Sequence, residues 1–142
     1  MLKIARGFLF PLFVLLVLAG CTTIAPFELK EYEQATSIKV DALALMDKST
    51  ETYSDHQSEI EQLKTNMEKA YEYAKGRQKN EDSTQQWALV KSPEKNSFGG
   101  FLARWKKDTT LKPEFVNESK GEIAKHFDQI IELISGKKKP AN

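Results

Sequence analysis

The stretch with the clearest helical periodicity covers residues 53–74 and reads YSDHQSEIEQLKTNMEKAYEYA. Seven of its residues recur at alternating intervals of three and four positions, which places them on one face of an α-helix. These seam residues are Tyr53, His56, Ile60, Leu63, Met67, Ala70 and Ala74. Three heptads with this spacing are typical of a coiled-coil-like seam, and the pattern suits closure within one chain as well as pairing of two chains. The stretch therefore predicts a long helix that buries one face against another helix.

Signals for the ends of this helix flank the seam. Ser54 and Gln57 have the spacing of a capping box at its beginning, and Gly76 is suited to end it. Before the seam, apolar residues at helical spacing predict another long helix over residues 27–47. The polar residues 47–50 predict a break between the two helices.

Two short helices are predicted after the seam, behind a polar loop. Ser83 and Gln86 form a second capping-box pattern, which we expect to begin the first short helix. Ser92 and the proline after it end that helix. A turn at residues 96–100 leads to the second short helix, which carries Phe101, Leu102 and Trp105.

A third long helix is predicted over residues 113–135, with Pro113 in its first turn and Gly136 just past its end. No stretch shows the alternation of apolar and polar residues that is typical of a strand. We therefore predict an all-α fold, a small antiparallel bundle of three long helices and two short ones.

Composition limits the function classes. The chain has 142 residues with 21 basic and 20 acidic side chains, a net charge of +1, which does not favour a nucleic-acid binder. One cysteine and two histidines do not suffice for a Cys-rich or multi-His metal centre. We expect neither a metal nor a cofactor.

The N-terminus has the pattern of a secretory signal. Lys3 and Arg6 precede an apolar run of 11 residues, from Phe8 to Leu18. As a helix this run spans about 17 Å, which is too short to cross a bilayer of about 30 Å.

The run ends in Leu18-Ala19-Gly20-Cys21. This tetrapeptide resembles the lipobox of bacterial lipoproteins. The resemblance implies cleavage before Cys21, acylation of its thiol and anchorage in membrane lipid. Because the next residue is Thr22 rather than aspartate, it also implies the outer membrane, facing the periplasm, if the source has two membranes.

We expect four segments: a signal peptide at 1–20, a lipidated tether at 21–26, a helical domain at 27–136 and a basic tail at 137–142. The five residues between Cys21 and the first helix reach about 18 Å at most. The domain should therefore lie close to the bilayer.

The densest aromatic cluster of the mature chain marks the candidate partner-binding site. The residues proposed for it are Trp87, Phe98, Phe101, Arg104, Trp105 and Lys106. Aromatic and arginine side chains anchor many interfaces. The alternative is that the rings fill the interior under the short helices and that the basic residues form a solvated face. The pair Gly99-Gly100 lacks the rest of a phosphate-binding motif and suits a close-packed turn.

The sequence offers no constellation for catalysis. A hydrolytic triad would have to use His56 or His126, and both lie in or beside predicted packing positions. We expect a non-enzymatic accessory or structural protein that binds another envelope protein. The alternatives are a carrier of a small apolar or glycan ligand and assembly with further copies of the same chain.

Overall fold

A computed structural model describes residues 25–94 and 96–136 of the chain. The predicted signal peptide, the lipidation site Cys21 and the basic tail at 137–142 lie outside the described residues. No strand occurs in the described part, so the predicted all-α class is confirmed. Its five α-helices are α1 (Leu29–Asp47), α2 (Gln57–Lys75), α3 (Glu81–Lys91), α4 (Phe98–Asp108) and α5 (Pro113–Ile134).

The seam on α2 is buried as predicted. Ile60, Leu63, Met67, Ala70 and Ala74 all belong to one core, which one face of every helix helps to form. Helix α1 packs against α2 and α5, and α3 packs against the same two helices. The seam therefore closes inside this chain. Tyr53 and His56 are half-buried and lie in a short 3₁₀ turn before α2.

Ion pairs show the relative direction of the long helices. Lys48, just after α1, pairs with Glu59 near the beginning of α2 at 2.7 Å. At the other end, the Tyr73 hydroxyl donates to Glu28 at 2.8 Å. Helices α1 and α2 therefore run in opposite directions. Helices α1 and α5 do so too, because Asp47 pairs with Lys120 and Lys39 pairs with Asp128.

The capping box predicted at Ser54 is wrong. Helix α2 begins at Gln57, and its N-cap residue His56 makes no side-chain capping bond. The reason is tertiary: the Tyr53 N–H donates to the Thr109 carbonyl at 3.0 Å, which holds this segment in a 3₁₀ turn. Gly76 is the C-cap residue of α2, as predicted.

The capping box at Ser83 is also wrong. Helix α3 begins two residues earlier, at Glu81, and Ser83 is buried within it. Its N-cap residue is Asn80, whose side-chain amide donates to the Glu31 carboxylate and the Ala74 carbonyl instead of capping the helix. Contacts with α1 and α2 thus decide where α3 begins.

The beginning of α4 depends on two glycines. The Ser97 hydroxyl caps the helix by accepting from the Gly100 N–H at 2.9 Å, so the predicted turn at 96–100 is shorter than expected. A β-carbon on Gly99 would overlap the Lys91 carbonyl, and one on Gly100 would overlap the Glu94 carbonyl. The expected close packing is therefore present, but in the first turn of the helix.

The ends of α5 match their sequence signals. Pro113 occupies the first turn, where its missing N–H costs nothing. Gly136 has a φ of +70°, which a glycine adopts without strain.

Replacement of Gly100 by alanine should destabilise the domain by about 2 kcal/mol or more, because backbone must move to admit the new β-carbon. Gly121→Ala is the matched control, since nothing lies within 4 Å of its β-carbon position in α5. We expect this control to stabilise the protein by about 0.5–1 kcal/mol. Urea unfolding measures both. Equal stability of the two variants would contradict the packing described for the start of α4.

Candidate functional site

The aromatic residues of the predicted site are core residues. Trp87, Phe98 and Trp105 have no exposed surface, and Phe101 is 4% exposed. Trp87 and Phe98 each pack edge-on against Phe127 of α5, at ring distances of 6.3 and 6.2 Å. The prediction that these rings form an exposed binding surface is therefore wrong. The rings fill the space between the short helices and the long ones, as the alternative interpretation has it.

Trp105 holds α4 against the corner between α1 and α2, which is formed by residues 48–56. Its indole Nε1 donates to the Glu51 carbonyl at 3.0 Å, and Tyr53 packs edge-on against its ring at 5.3 Å. The segment after α4 is joined to the same corner, since the Leu111 N–H donates to the Ser49 carbonyl at 2.8 Å. Helix α4 is thus held at the end of the domain where α1 finishes.

The two basic residues of the predicted site are exposed on different sides of α4. Arg104 lies over the ring of Phe115 on α5, 4.0 Å from its centre, and Phe115 stacks on Phe101 with ring centres 6.0 Å apart. Lys106 lines a separate depression towards α2. The structure therefore places the two basic residues of the predicted site beside two different clefts.

The larger cleft separates α4 from α5 and has a volume of about 770 Å³. Phe101, Phe115 and Ile123 give it an apolar lining. Its α4 side carries Arg104, Lys107 and Asp108 and is positive on balance, although Asp108 pairs with Arg104 at 3.4 Å; its α5 side carries the acidic residues Glu118 and Glu122. A hydrogen bond from Lys125 holds the pKa of Glu122 below its usual value, so this carboxylate stays ionised to a lower pH than an ordinary glutamate does. The cleft thus combines an apolar lining with walls of opposite charge.

The smaller cleft, of about 300 Å³, lies between α2 and α4. Tyr53, Met67, Phe98 and Leu102 contribute apolar side chains. Around them stand charged residues from three helices: Glu61, Lys64, Glu68, Lys91 and Lys106. This cleft thus has an apolar floor and a charged rim.

A buried polar network lies at the beginning of α1, and the sequence analysis missed it. The Glu31 carboxylate is 1% exposed; it pairs with Arg77 and accepts from the Asn80 amide at 2.9 Å. The signal was present, because Glu31 continues the spacing of the buried residues Ala35 and Ile38 along α1. A charged residue on the buried face of a helix predicts a buried partner for its charge.

The same network holds the segment before α1. Arg77 Nη2 donates to the Pro26 carbonyl at 2.6 Å, and the Ala25 N–H donates to the Lys79 carbonyl at 2.9 Å. Glu28 caps α1 and accepts from Tyr73; this bond lowers the pKa of Glu28 and raises that of Tyr73. Residues 25–28 are thus bound to α2 and to the loop after it.

Within residues 25–94 and 96–136, no helix is both long and apolar enough to span a membrane. No three His, Cys, Asp or Glu side chains of these residues are grouped so that they could hold a metal ion. Comparison with protein-family models, curated proteins and solved structures finds no match for this chain.

We predict that Trp105→Phe costs about 1–2 kcal/mol more in unfolding free energy than Trp87→Phe. Both indoles are fully buried, but only Trp105 loses a hydrogen bond, whereas Nε1 of Trp87 has no partner among the described residues. Urea unfolding of the two variants measures the difference. An equal loss, or a larger one at Trp87, would contradict the role of Trp105 at the corner.

Proposed function

We propose that this chain is a bacterial lipoprotein, anchored through acylated Cys21, whose helical domain binds a segment of another envelope protein without catalysing a reaction. The observation that carries the binding role is the α4–α5 cleft, with its apolar lining and its oppositely charged walls. The lipobox at residues 18–21 supports the anchorage. The proposed place is the cell envelope, on the periplasmic side of the outer membrane where two membranes exist.

The chemistry of the cleft favours a protein segment over a small molecule. A segment that packs against the half-buried ring of Phe115 with apolar side chains would also meet Arg104 on one wall and Glu118 on the other. Arg104 is held over the Phe115 ring before any partner arrives, which lowers the entropy lost on binding. Aromatic and arginine side chains in such positions supply much of the affinity of protein interfaces.

For the fold, the finer proposal is a single antiparallel bundle of three long helices and two short ones. The opposite directions of α1 and α2, and of α1 and α5, support it. The two short helices then form the part of the bundle beside which both clefts open.

A Cys21→Ser variant tests the anchorage. Without the thiol no diacylglycerol can be attached, so we expect labelled palmitate incorporation to disappear and the protein to leave the membrane fraction. Thr22→Ser is the control, because it changes the neighbouring residue and keeps the thiol. Continued palmitate labelling or unchanged membrane sedimentation of Cys21→Ser would contradict the lipoprotein assignment.

A photocrosslinking residue at Lys107, inside the larger cleft, tests the binding role in cells. We expect one defined envelope protein to be crosslinked there and none at Val40, which is exposed on α1. Arg104→Glu should reduce the crosslink at least tenfold, because it reverses the charge of one wall. Lys69→Glu, an exposed change outside both clefts, should leave it unchanged.

Three outcomes of this experiment would contradict the proposal. Absence of any crosslink at Lys107 would exclude the cleft as the binding site. A crosslink unaffected by Arg104→Glu would show that the charged wall does not recognise the partner. A crosslink to a second copy of this chain would instead indicate a homo-oligomer. Circular dichroism of each variant checks that helicity is preserved.

The second candidate function is a carrier of a small apolar ligand in the α2–α4 cleft. Its apolar lining by Tyr53, Met67, Phe98 and Leu102 favours this alternative. A carrier should retain a small molecule through purification, which native mass spectrometry would detect as a constant added mass. Such a mass, together with no crosslink at Lys107, would replace the partner-binding proposal with this one.

A further inference from the structure

Two large apolar side chains are exposed at the very beginning of α1. Phe27 and Leu29 are each 57% exposed, on either side of the N-cap residue Glu28. Lys30 follows directly and is exposed as well. Exposed apolar side chains next to lysine are typical of a surface that meets the interface of a bilayer.

The path of the chain towards Cys21 starts at this place. The Ala25 N–H is bonded to the Lys79 carbonyl, and the Pro26 carbonyl is bonded to Arg77. The backbone before Phe27 is therefore held against the loop after α2. Cys21 is four residues before Ala25. The Cα atoms of these two residues can therefore be at most about 14 Å apart.

The C-terminal end of the described chain lies at the same end of the domain. Asp47 pairs with Lys120 and Lys39 pairs with Asp128, so a step of eight residues along α1 matches a step of eight residues backwards along α5. Continued at equal rise, this register places Gly136 level with Glu31. The sequence goes on with Lys137, Lys138 and Lys139, the last of which is at most about 11 Å from Gly136.

We infer that this end of the domain, the anchoring pole, rests on the surface of an anionic bilayer, with Phe27 and Leu29 inserted among the lipid headgroups. The anchoring pole comprises residues 25–30 and Gly136. The inference rests on the proposed acylation of Cys21, and it adds an orientation: the lipid chains and the two apolar side chains meet the same membrane surface, which the lysines that follow Gly136 in the sequence are close enough to reach. Lysines near such a surface are attracted to anionic headgroups.

The experiment uses the full-length lipidated protein in vesicles of phosphatidylcholine and phosphatidylglycerol. With Cys21 acylated, Leu29→Cys supplies a single free thiol for a nitroxide spin label. Val40→Cys is the matched control: it is 65% exposed on the same helix and lies eleven residues, about 16 Å, further along. Power saturation with oxygen, which partitions into lipid, and with a water-soluble nickel chelate measures where each label lies.

We expect the ratio of oxygen to nickel accessibility to be at least threefold higher at position 29 than at position 40. Equal, aqueous ratios at both positions in protein that floats with the vesicles would overturn the orientation and leave the lipid anchorage intact. Shielding of position 29 from both reagents would show that protein, not lipid, covers the pole, which also overturns the inference. Protein that does not float would contradict the acylation itself, and the orientation with it.

Discussion

The buried ion pair between Glu31 and Arg77 is the interaction on which the arrangement of the domain depends. A carboxylate that is removed from water costs several kcal/mol unless its charge and its lone pairs are satisfied. Here Arg77 supplies the charge and Asn80 supplies a further donor. Arg77 also holds the Pro26 carbonyl, and Asn80 holds the Ala74 carbonyl. One network therefore joins the segment before α1, the end of α2 and the start of α3.

This network lies at one end of the domain, and the two clefts lie towards the other end. Helix α1 is 19 residues long, about 28 Å, and separates the anchoring pole from the corner where Trp105 bonds to Glu51. Helix α4 and the two clefts belong to the half of the domain near that corner. A lipid anchor at one end and a binding cleft towards the other would let a partner reach the cleft while the protein stays on the membrane.

Local sequence patterns predicted most of the helices, because the spacing of apolar residues reports burial directly. The seam of α2 is buried, and Pro113 and Gly136 lie at the ends of α5. The capping boxes failed because a serine can cap a helix only if tertiary bonds leave the backbone free to begin there. The Tyr53–Thr109 and Asn80–Glu31 bonds place the starts of α2 and α3 elsewhere. Both bonds join residues far apart in sequence.

The candidate site was harder to predict for a related reason. Phe98, Phe101, Leu102 and Trp105 have helical spacing, which indicates a buried face as readily as an interface, and all four are buried. The larger cleft brings Arg104 onto Phe115 of another helix, and no local pattern reports such a pairing. The burial of Glu31, by contrast, could have been predicted, because this residue lies in line with the buried face of α1.

With Cys21 acylated, the Glu31–Arg77 network would give the domain a fixed orientation on the membrane, and one distance measures that orientation. A fluorophore at Thr110, exposed beside the Leu111–Ser49 contact at the far end of the domain, can transfer energy to acceptors in the lipid headgroups. For the lipidated protein on vesicles, we expect a closest approach of about 30 Å, the length of α1 and its cap. A closest approach below about 15 Å would mean that the domain lies on its side and that the proposed orientation is wrong.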